Sequence, residues 1–402
     1  MLYMDYAATA PMLPEVIEAM TEVMRTHYGN PSSLHKLGVQ AELLVRRSRE
    51  TIAQQLGAEP EEIVFTSGGT ESNNWAIRGA AYQYRHRGRH LITTRIEHAS
   101  VYETFRQLEE EGFEVTYLPV DETGRISVEQ LKEALTDDTS LVSVMAVNNE
   151  VGAIQPIEEL GRVLKSYPKV LLHVDAVQAL GKMPVHPAAM GADLVSFAAH
   201  KIGGPKGCGF LYVRRGVQLR PLLVGGGQEM ALRAGTENVP ALVGTAKAVR
   251  LAVERQPQFA AHTRKLKQAI EAHVRAFDAL SLTGGSSRGA RDESSGAEAG
   301  VWAPHLVHFT YPGMKSEVLI HALEEQGICA SARSACSSGQ EKPSRVLEAM
   351  GLPSAAAKAG IRLSLALDHT MEDAESFGRA LRHVMAQLQP HTASVSQKGR
   401  RA

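Results

Sequence analysis

Lys201 stands in an unusual setting. The apolar run DLVSFAA stops at His200-Lys201, and the stretch IGGPKGCGF that follows holds four glycines and a proline. Ending a strand on two titratable side chains, inside a turn-forming segment, points to a lysine with work to do. Desolvation disfavours the ammonium form, so its pKa falls from about 10.4 and the amine becomes a nucleophile or base. Four other apolar runs end in a comparable way. EIVF leads into TSGGTESNN, where Gly69 and Thr70 open a helix whose free N–H groups and dipole suit an anion. LITT leads to RIEHAS, placing His98 near a helix start, and LVSVMAV leads to NNEVG with Asn149 and Glu150. VLLHVDA ends on Asp175, with Gln178 three residues later. An aspartate closing so apolar a run needs a cationic partner. Each feature alone has an ordinary explanation as a helix cap, a glycine turn or a solvated lysine. Five at the ends of five strands do not, because α/β sheets bind ligands outside the carboxyl ends of their strands.

The elements behind these residues alternate. Strand candidates fall at 62–65, 91–94, 114–118, 141–147, 170–176, 193–197 and 209–213, and most gaps between them carry helical spacing, as in VEQLKEALTDD. Buried strands interleaved with helices predict an α/β fold with a mostly parallel seven-stranded sheet covered on both faces. After about residue 255 the rhythm changes to a long helix, FAAHTRKLKQAIEAHVRAF, with fewer strands beyond it. The expected organisation is a large ligand-binding domain over 16–255 and a smaller α+β domain over 256–388, which residues 1–15 join. Residues 283–300 are glycine, serine and charge, so a mobile insertion is expected there, and 389–402 should be a disordered tail.

Bulk composition narrows the function class. Among 402 residues, 43 Lys+Arg against 44 Asp+Glu leave a net charge of −1, which gives no support for nucleic-acid or anionic-membrane binding. Cys208, Cys329 and Cys336 are too few for a disulfide framework, and no CxxC pair suggests zinc. No run is long and apolar enough to span a bilayer and no basic-then-apolar leader opens the chain, so a cytoplasmic protein is expected. One small molecule meets all the demands of the strand ends: pyridoxal 5′-phosphate supplies an aldehyde for the lysine, a protonated ring nitrogen for the aspartate and a phosphate for the glycine-rich helix start.

The segments MDYAATAP, FTSGGTESNN, VNNEVG, HVDAVQALGK, SFAAHKIGGPKG, GGGQEMALRAGTEN, SARSACSSG and IRLSL, in this order from about residue 3 to 380, resemble the successive motifs of cysteine desulfurases of the NifS/IscS type. These are class V members of the pyridoxal-phosphate-dependent transferases of fold type I. The resemblance implies that Lys201 binds the cofactor covalently, that His98 stacks on its ring, that Asp175 pairs with the ring nitrogen, and that Asn149 and Gln178 contact the phenolic oxygen. It assigns the phosphate to Gly69, Thr70 and His200, with Thr236 reaching the phosphate of a second subunit in a homodimer. Asn30 and Arg362 resemble the groups that bind the substrate carboxylate. Cys336 matches the sulfur-accepting cysteine of a mobile loop, whereas Cys208 and Cys329 read as small packed side chains. The implied reaction converts L-cysteine to L-alanine with a persulfide on Cys336, and passes the sulfur to an acceptor or scaffold protein for iron–sulfur cluster assembly or tRNA thiolation. A selenocysteine lyase, a cysteine sulfinate desulfinase and a non-catalytic relative remain alternatives. Two positions depart from the family pattern: Ala198 stands where a serine is usual, and Arg333 where a glycine commonly precedes Ser-Ala-Cys.

Overall fold

The computed structural model describes residues 1–283, 301–332 and 343–388. Cys336 and Arg333, the tail at 389–402, and all of the 283–300 stretch but Thr283 lie outside the described residues. The chain opens with β1 (Leu2–Tyr3), then two helices, Pro14–Thr26 and Lys36–Leu56. A sheet follows, built from β2 (Ile63–Thr66), β3 (His90–Thr94), β4 (Glu114–Leu118), β5 (Thr139–Met145), β6 (Leu171–Asp175), β7 (Leu194–Ala198) and β8 (Gly209–Val213). All seven expected strands form. Their spatial order is β2-β8-β7-β6-β5-β3-β4.

Every pairing among β3 to β7 is parallel, and only β8 runs antiparallel to its neighbours β7 and β2. Its direction follows from the turn before it, which is too short for a crossover helix and sends the chain straight back along β7. Strands β5, β6, β7 and β8 are buried at every residue. Alternate residues feed two apolar layers. Val142, Val144, Leu172, Val174, Val195 and Phe197 enter one, while Leu141, Leu171, Leu194 and Leu211 enter the other, with Trp75 and Phe105. His173 shares the second face and is satisfied there by the hydroxyls of Ser143 and Ser196, at 2.8 and 2.9 Å. Burial pulls its pKa down to about 3, so this histidine is a neutral packing group.

A single helix, Val239–Arg275, links this sheet to the remainder. The boundary expected at 255/256 falls inside it, beside Pro257. Beyond it come β9 (Ser281–Leu282), β10 (Leu306–Thr310), β11 (Ile328–Cys329) and β12 (Gly360–Ser364). Strands β12, β10 and β9 form an antiparallel sheet in that order, over a second apolar cluster that includes Leu266, Ile270, Phe309, Leu363 and Phe377. The N-terminal residues touch both parts: β1 pairs with β11 and Asp5 bridges to Ser364, while the N–H groups of Ala10 and Leu13 donate to the carbonyls of His200 and Gly203. Among the described residues no helix is long and apolar enough to cross a membrane.

Candidate active site

Because β2 and β8 are antiparallel, β2 points the same way as β3, β5, β6 and β7, and the carboxyl ends of those five strands share one edge. A cavity of about 240 Å³ opens there. Its wall contains Gly69, Thr70, His98, Asn149, Asp175, Gln178, His200, Lys201 and Arg362. Nine residues expected to act together are therefore brought together.

Helix Gly69–Gln83 begins directly after β2 and directs its first, intrahelically unpaired N–H groups at the cavity rim. One turn in, it delivers Asn73, which is 1% exposed. The Asn73 amide donates to Asp175 Oδ2 at 2.8 Å and to Ser100 Oγ at 2.9 Å. Asp175 Oδ1 accepts from the Val177 N–H at 3.0 Å, so the carboxylate is held in place from two sides. No ion pair to Asp175 forms among the described residues. Its charge is available to a cation in the cavity.

His98 caps helix Ala99–Glu110, its Nδ1 accepting from the Ser100 N–H at 3.2 Å and meeting Ser100 Oγ at 2.8 Å. That arrangement leaves the proton of the neutral ring on Nε2. Burial lowers the His98 pKa, the Asp175 charge opposes this, and the cations Lys201 and Arg345 reinforce it. His200, beside Lys201, is drawn down to about 4 by burial and then by the charges of Lys201, Lys182 and Lys206, while its Nδ1 lies 3.2 Å from Thr9 Oγ1. Both histidines are uncharged at neutral pH.

Lys201 leaves β7 through the short helical turn Ala199–Lys201. The chain then reverses at Gly203, whose φ of +76° is open to glycine and strained for other residues. The Lys201 ammonium donates to the backbone carbonyls of Ala7 and Ala8, at 2.6 and 2.7 Å. Gln178 also reaches the Ala7 carbonyl, at 3.0 Å. Arg362, 1% exposed, enters from β12 and donates to the Asn149 carbonyl at 2.7 Å and to Asp5 Oδ1 at 2.8 Å. Asn73 Oδ1, Gln178 Oε1 and Arg362 Nε are buried and lack a hydrogen-bond partner. Three orphaned polar atoms on residues lining one cavity mark a place for a polar ligand.

Two expected residues stay outside. Asn30 is exposed and its Oδ1 accepts from the Ser32 N–H, and Thr236 is exposed in the loop before helix Val239–Arg275. Cys336 lies outside the described residues. The residues that sequence reasoning passed over are Asn73, Ser100, Asp5 and the carbonyls of Ala7 and Ala8. Asn73 carries a signal in retrospect, sitting three residues after Thr70 on the same helix face. The carbonyls carry none.

The chain matches the aminotransferase class-V family over residues 2–377. It belongs to that family. Over 378 residues, covering 94% of this chain and 95% of the relative's, it is 44% identical to a protein from Lactobacillus delbrueckii subsp. bulgaricus called a NifS/IcsS protein homolog. The cysteine desulfurase IscS of Methanosarcina thermophila is 42% identical, with 93% of this chain and 89% of that one covered. Among solved structures, one titled NifS-like protein superposes with a TM-score of 0.88 at 38% identity, covering 96% of this chain and all of the other. Class-V aminotransferases use pyridoxal 5′-phosphate, and the site suits it. Asp175 offers a charge to the ring nitrogen, Gln178 Oε1 lacks a partner, and the start of helix Gly69–Gln83 offers N–H groups to a phosphate. Ala198 lines the cavity beside Gly69, so the position where a serine is usual contributes a methyl there.

Proposed function

We propose that this protein is a cysteine desulfurase that takes sulfur from L-cysteine with pyridoxal 5′-phosphate and leaves L-alanine. The observation that carries the reading is the convergence of Lys201, Asp175 and His98 on one cavity, in a chain related throughout its length to cysteine desulfurases. When bound, the cofactor supplies a sink for the electrons left at the substrate Cα. Lys201 would hold it covalently, and the Lys201 amine is the base placed to take the Cα proton of the substrate. Asp175, fixed by Asn73, keeps the ring nitrogen protonated. His98, whose Nδ1 is occupied by Ser100, would meet the ring and could pass protons from Nε2. Gly69, Thr70 and His200 would hold the phosphate, and Asn149 and Gln178 the phenolic oxygen. Arg362 receives the substrate carboxylate through donors now turned to Asp5 and the Asn149 carbonyl.

Cys336, as thiolate, attacks the substrate sulfur. The new S–S bond forms as the C–S bond breaks, and the electron pair remains with carbon, which a proton then quenches to give alanine. The persulfide passes to an acceptor or scaffold protein for iron–sulfur cluster assembly or tRNA thiolation.

We also read the chain as half of a homodimer. Tyr28, Leu34 and Val224 are 77%, 98% and 84% exposed. The segments around them border one cleft, whose wall includes Pro31, Arg49, Gln228 and Glu237. Asn30 and Thr236 fall in these two segments, so a second copy on this face would bring both toward a neighbouring site.

The test is product analysis after incubation with L-cysteine. Alanine and a persulfide on Cys336 are expected, and Cys336→Ala should keep the visible absorbance of the bound cofactor while sulfide production drops to background. A Cys336→Ala variant that makes sulfide at the wild-type rate would remove Cys336 from the reaction and favour a selenocysteine lyase or a sulfinate desulfinase.

A further inference from the structure

Behind Lys201 lies a second cavity, of about 380 Å³, walled by Leu180, Leu251, Phe259 and Leu365. Lys201 lines both this space and the active-site cavity. A second lysine enters from the rear. Lys182, 6% exposed, closes the turn that starts at Asp175, and its ammonium donates to the backbone carbonyl of Lys201 at 3.2 Å. Its own backbone is pinned, the N–H to Ala179 and the carbonyl to Gln256 Nε2.

The charged and titratable groups around it come from four elements. His200 and Lys201 belong to the turn after β7. His305, ahead of β10, is fully buried, lacks a partner on either ring nitrogen, and is kept neutral by burial and then by the Lys182 charge. Arg255, on helix Val239–Arg275, is occupied by Glu15 at 2.7 Å. Asp368, after β12, accepts from the Tyr6 hydroxyl at 2.7 Å. Among the described residues no carboxylate pairs with Lys182. Burial, and then the charge of Lys201, pull its pKa down to about 7.

We propose that Lys182 is a positioning residue for Lys201, fixing through its hydrogen bond the peptide that aims the Lys201 side chain, and disfavouring through its charge a second charge on the Lys201 nitrogen. The two effects separate chemically. A neutral or charged amine can donate to the carbonyl, whereas only the charged form raises the local potential. An adjacent cation is a recognised way to lower the pKa of a nucleophilic lysine. The proposal rests on the reading that Lys201 carries the cofactor.

The test is a pH titration of the visible band of the protein loaded with pyridoxal 5′-phosphate. Lys182→Gln, which keeps a donor and loses the charge, and Lys182→Met, which loses both, should each raise the midpoint, on the order of one pH unit. Lys182→Arg should hold it at or below the wild-type value, and only Lys182→Met should also broaden or weaken the band through loss of aim. Identical midpoints in all four proteins would overturn the proposal. A wild type that forms no such band would instead overturn the assignment of Lys201. If the neutral variants do not fold, lysine labelled with ¹⁵N at Nζ decides, with Lys182→Arg providing the assignment: a Lys182 titration that moves upward when the charge at position 201 is removed in Lys201→Ala supports the proposal, and an unchanged one overturns it.

Discussion

Asp175 and Glu97 share one buried layer but face opposite demands. Asp175 accepts a hydrogen bond on each oxygen and faces the cavity. Glu97, 1% exposed, accepts at Oε1 from Thr94 Oγ1 at 2.8 Å and from the N–H of Met145, the strand partner of Asp175. Its Oε2 has no partner. Burial raises its pKa to about 8, the Asp175 charge adding to the effect. A carboxyl whose folded pKa lies above its unfolded value favours the fold fully below the unfolded pKa, and that contribution is lost as pH rises towards 8. Glu97→Gln keeps the Oε1 acceptor and removes the charge. Its stability relative to wild type should therefore grow by on the order of 3 kcal/mol between about pH 5.5 and 9, read from urea midpoints at the two pH values. An equal difference at both would show that Glu97 stays ionised throughout. The same residue scale shows what a sequence can disclose. Lys201, His98, Asn149, Asp175 and Gln178 were legible because each follows an apolar run, where an unpaired polar group is expensive. Asn73, Asp5 and the two alanine carbonyls act through contacts distant along the chain, and the charge balance of Lys182 depends on neighbours from four separate elements.

At the scale of elements, the site rests on the β7–turn–β8 reversal. Ala198 pairs with Gly209, and the turn between them presents His200 and Lys201. Gly209 has no room for a side chain: an added Cβ would lie 2.5 Å from the Phe197 carbonyl oxygen and 2.6 Å from Gly68 Cα. Both obstacles are backbone, so Gly209→Ala must part β8 from the helix start proposed to hold the phosphate. It should lower stability by roughly 1–3 kcal/mol and weaken pyridoxal-phosphate binding at the same time, measured by urea denaturation and by cofactor titration. A stability loss with unchanged cofactor affinity would detach this reversal from the phosphate cup. The strands themselves were readable from apolar runs, but the direction of β8 was not, since a run has the same composition in either direction. The continuous helix Val239–Arg275 was also hidden. Its first half is alanine-rich and packs on the large sheet's layer through Leu242, Ala246 and Val249, while its second half packs with the smaller sheet through Leu266 and Ile270, so its composition changes where its structure does not.

For the whole molecule, the site is an assembly of parts that are far apart in sequence. Residues 5–9 supply Asp5, the Ala7 and Ala8 carbonyls and Thr9, β12 supplies Arg362, and the large sheet supplies the remainder. We propose the two-domain division in that light: the large sheet holds the cofactor, and the smaller unit, with the N-terminal segment, closes the substrate side. The central claim is that Lys201 is the covalent anchor, although Lys182 lies close enough to contact its backbone. The most direct measurement is borohydride reduction of the protein loaded with pyridoxal 5′-phosphate, followed by peptide mass mapping. The account predicts one reduced cofactor fixed to Lys201 and none in Lys201→Ala. Label on Lys182 or any other lysine of the wild type, or none at all, would contradict it.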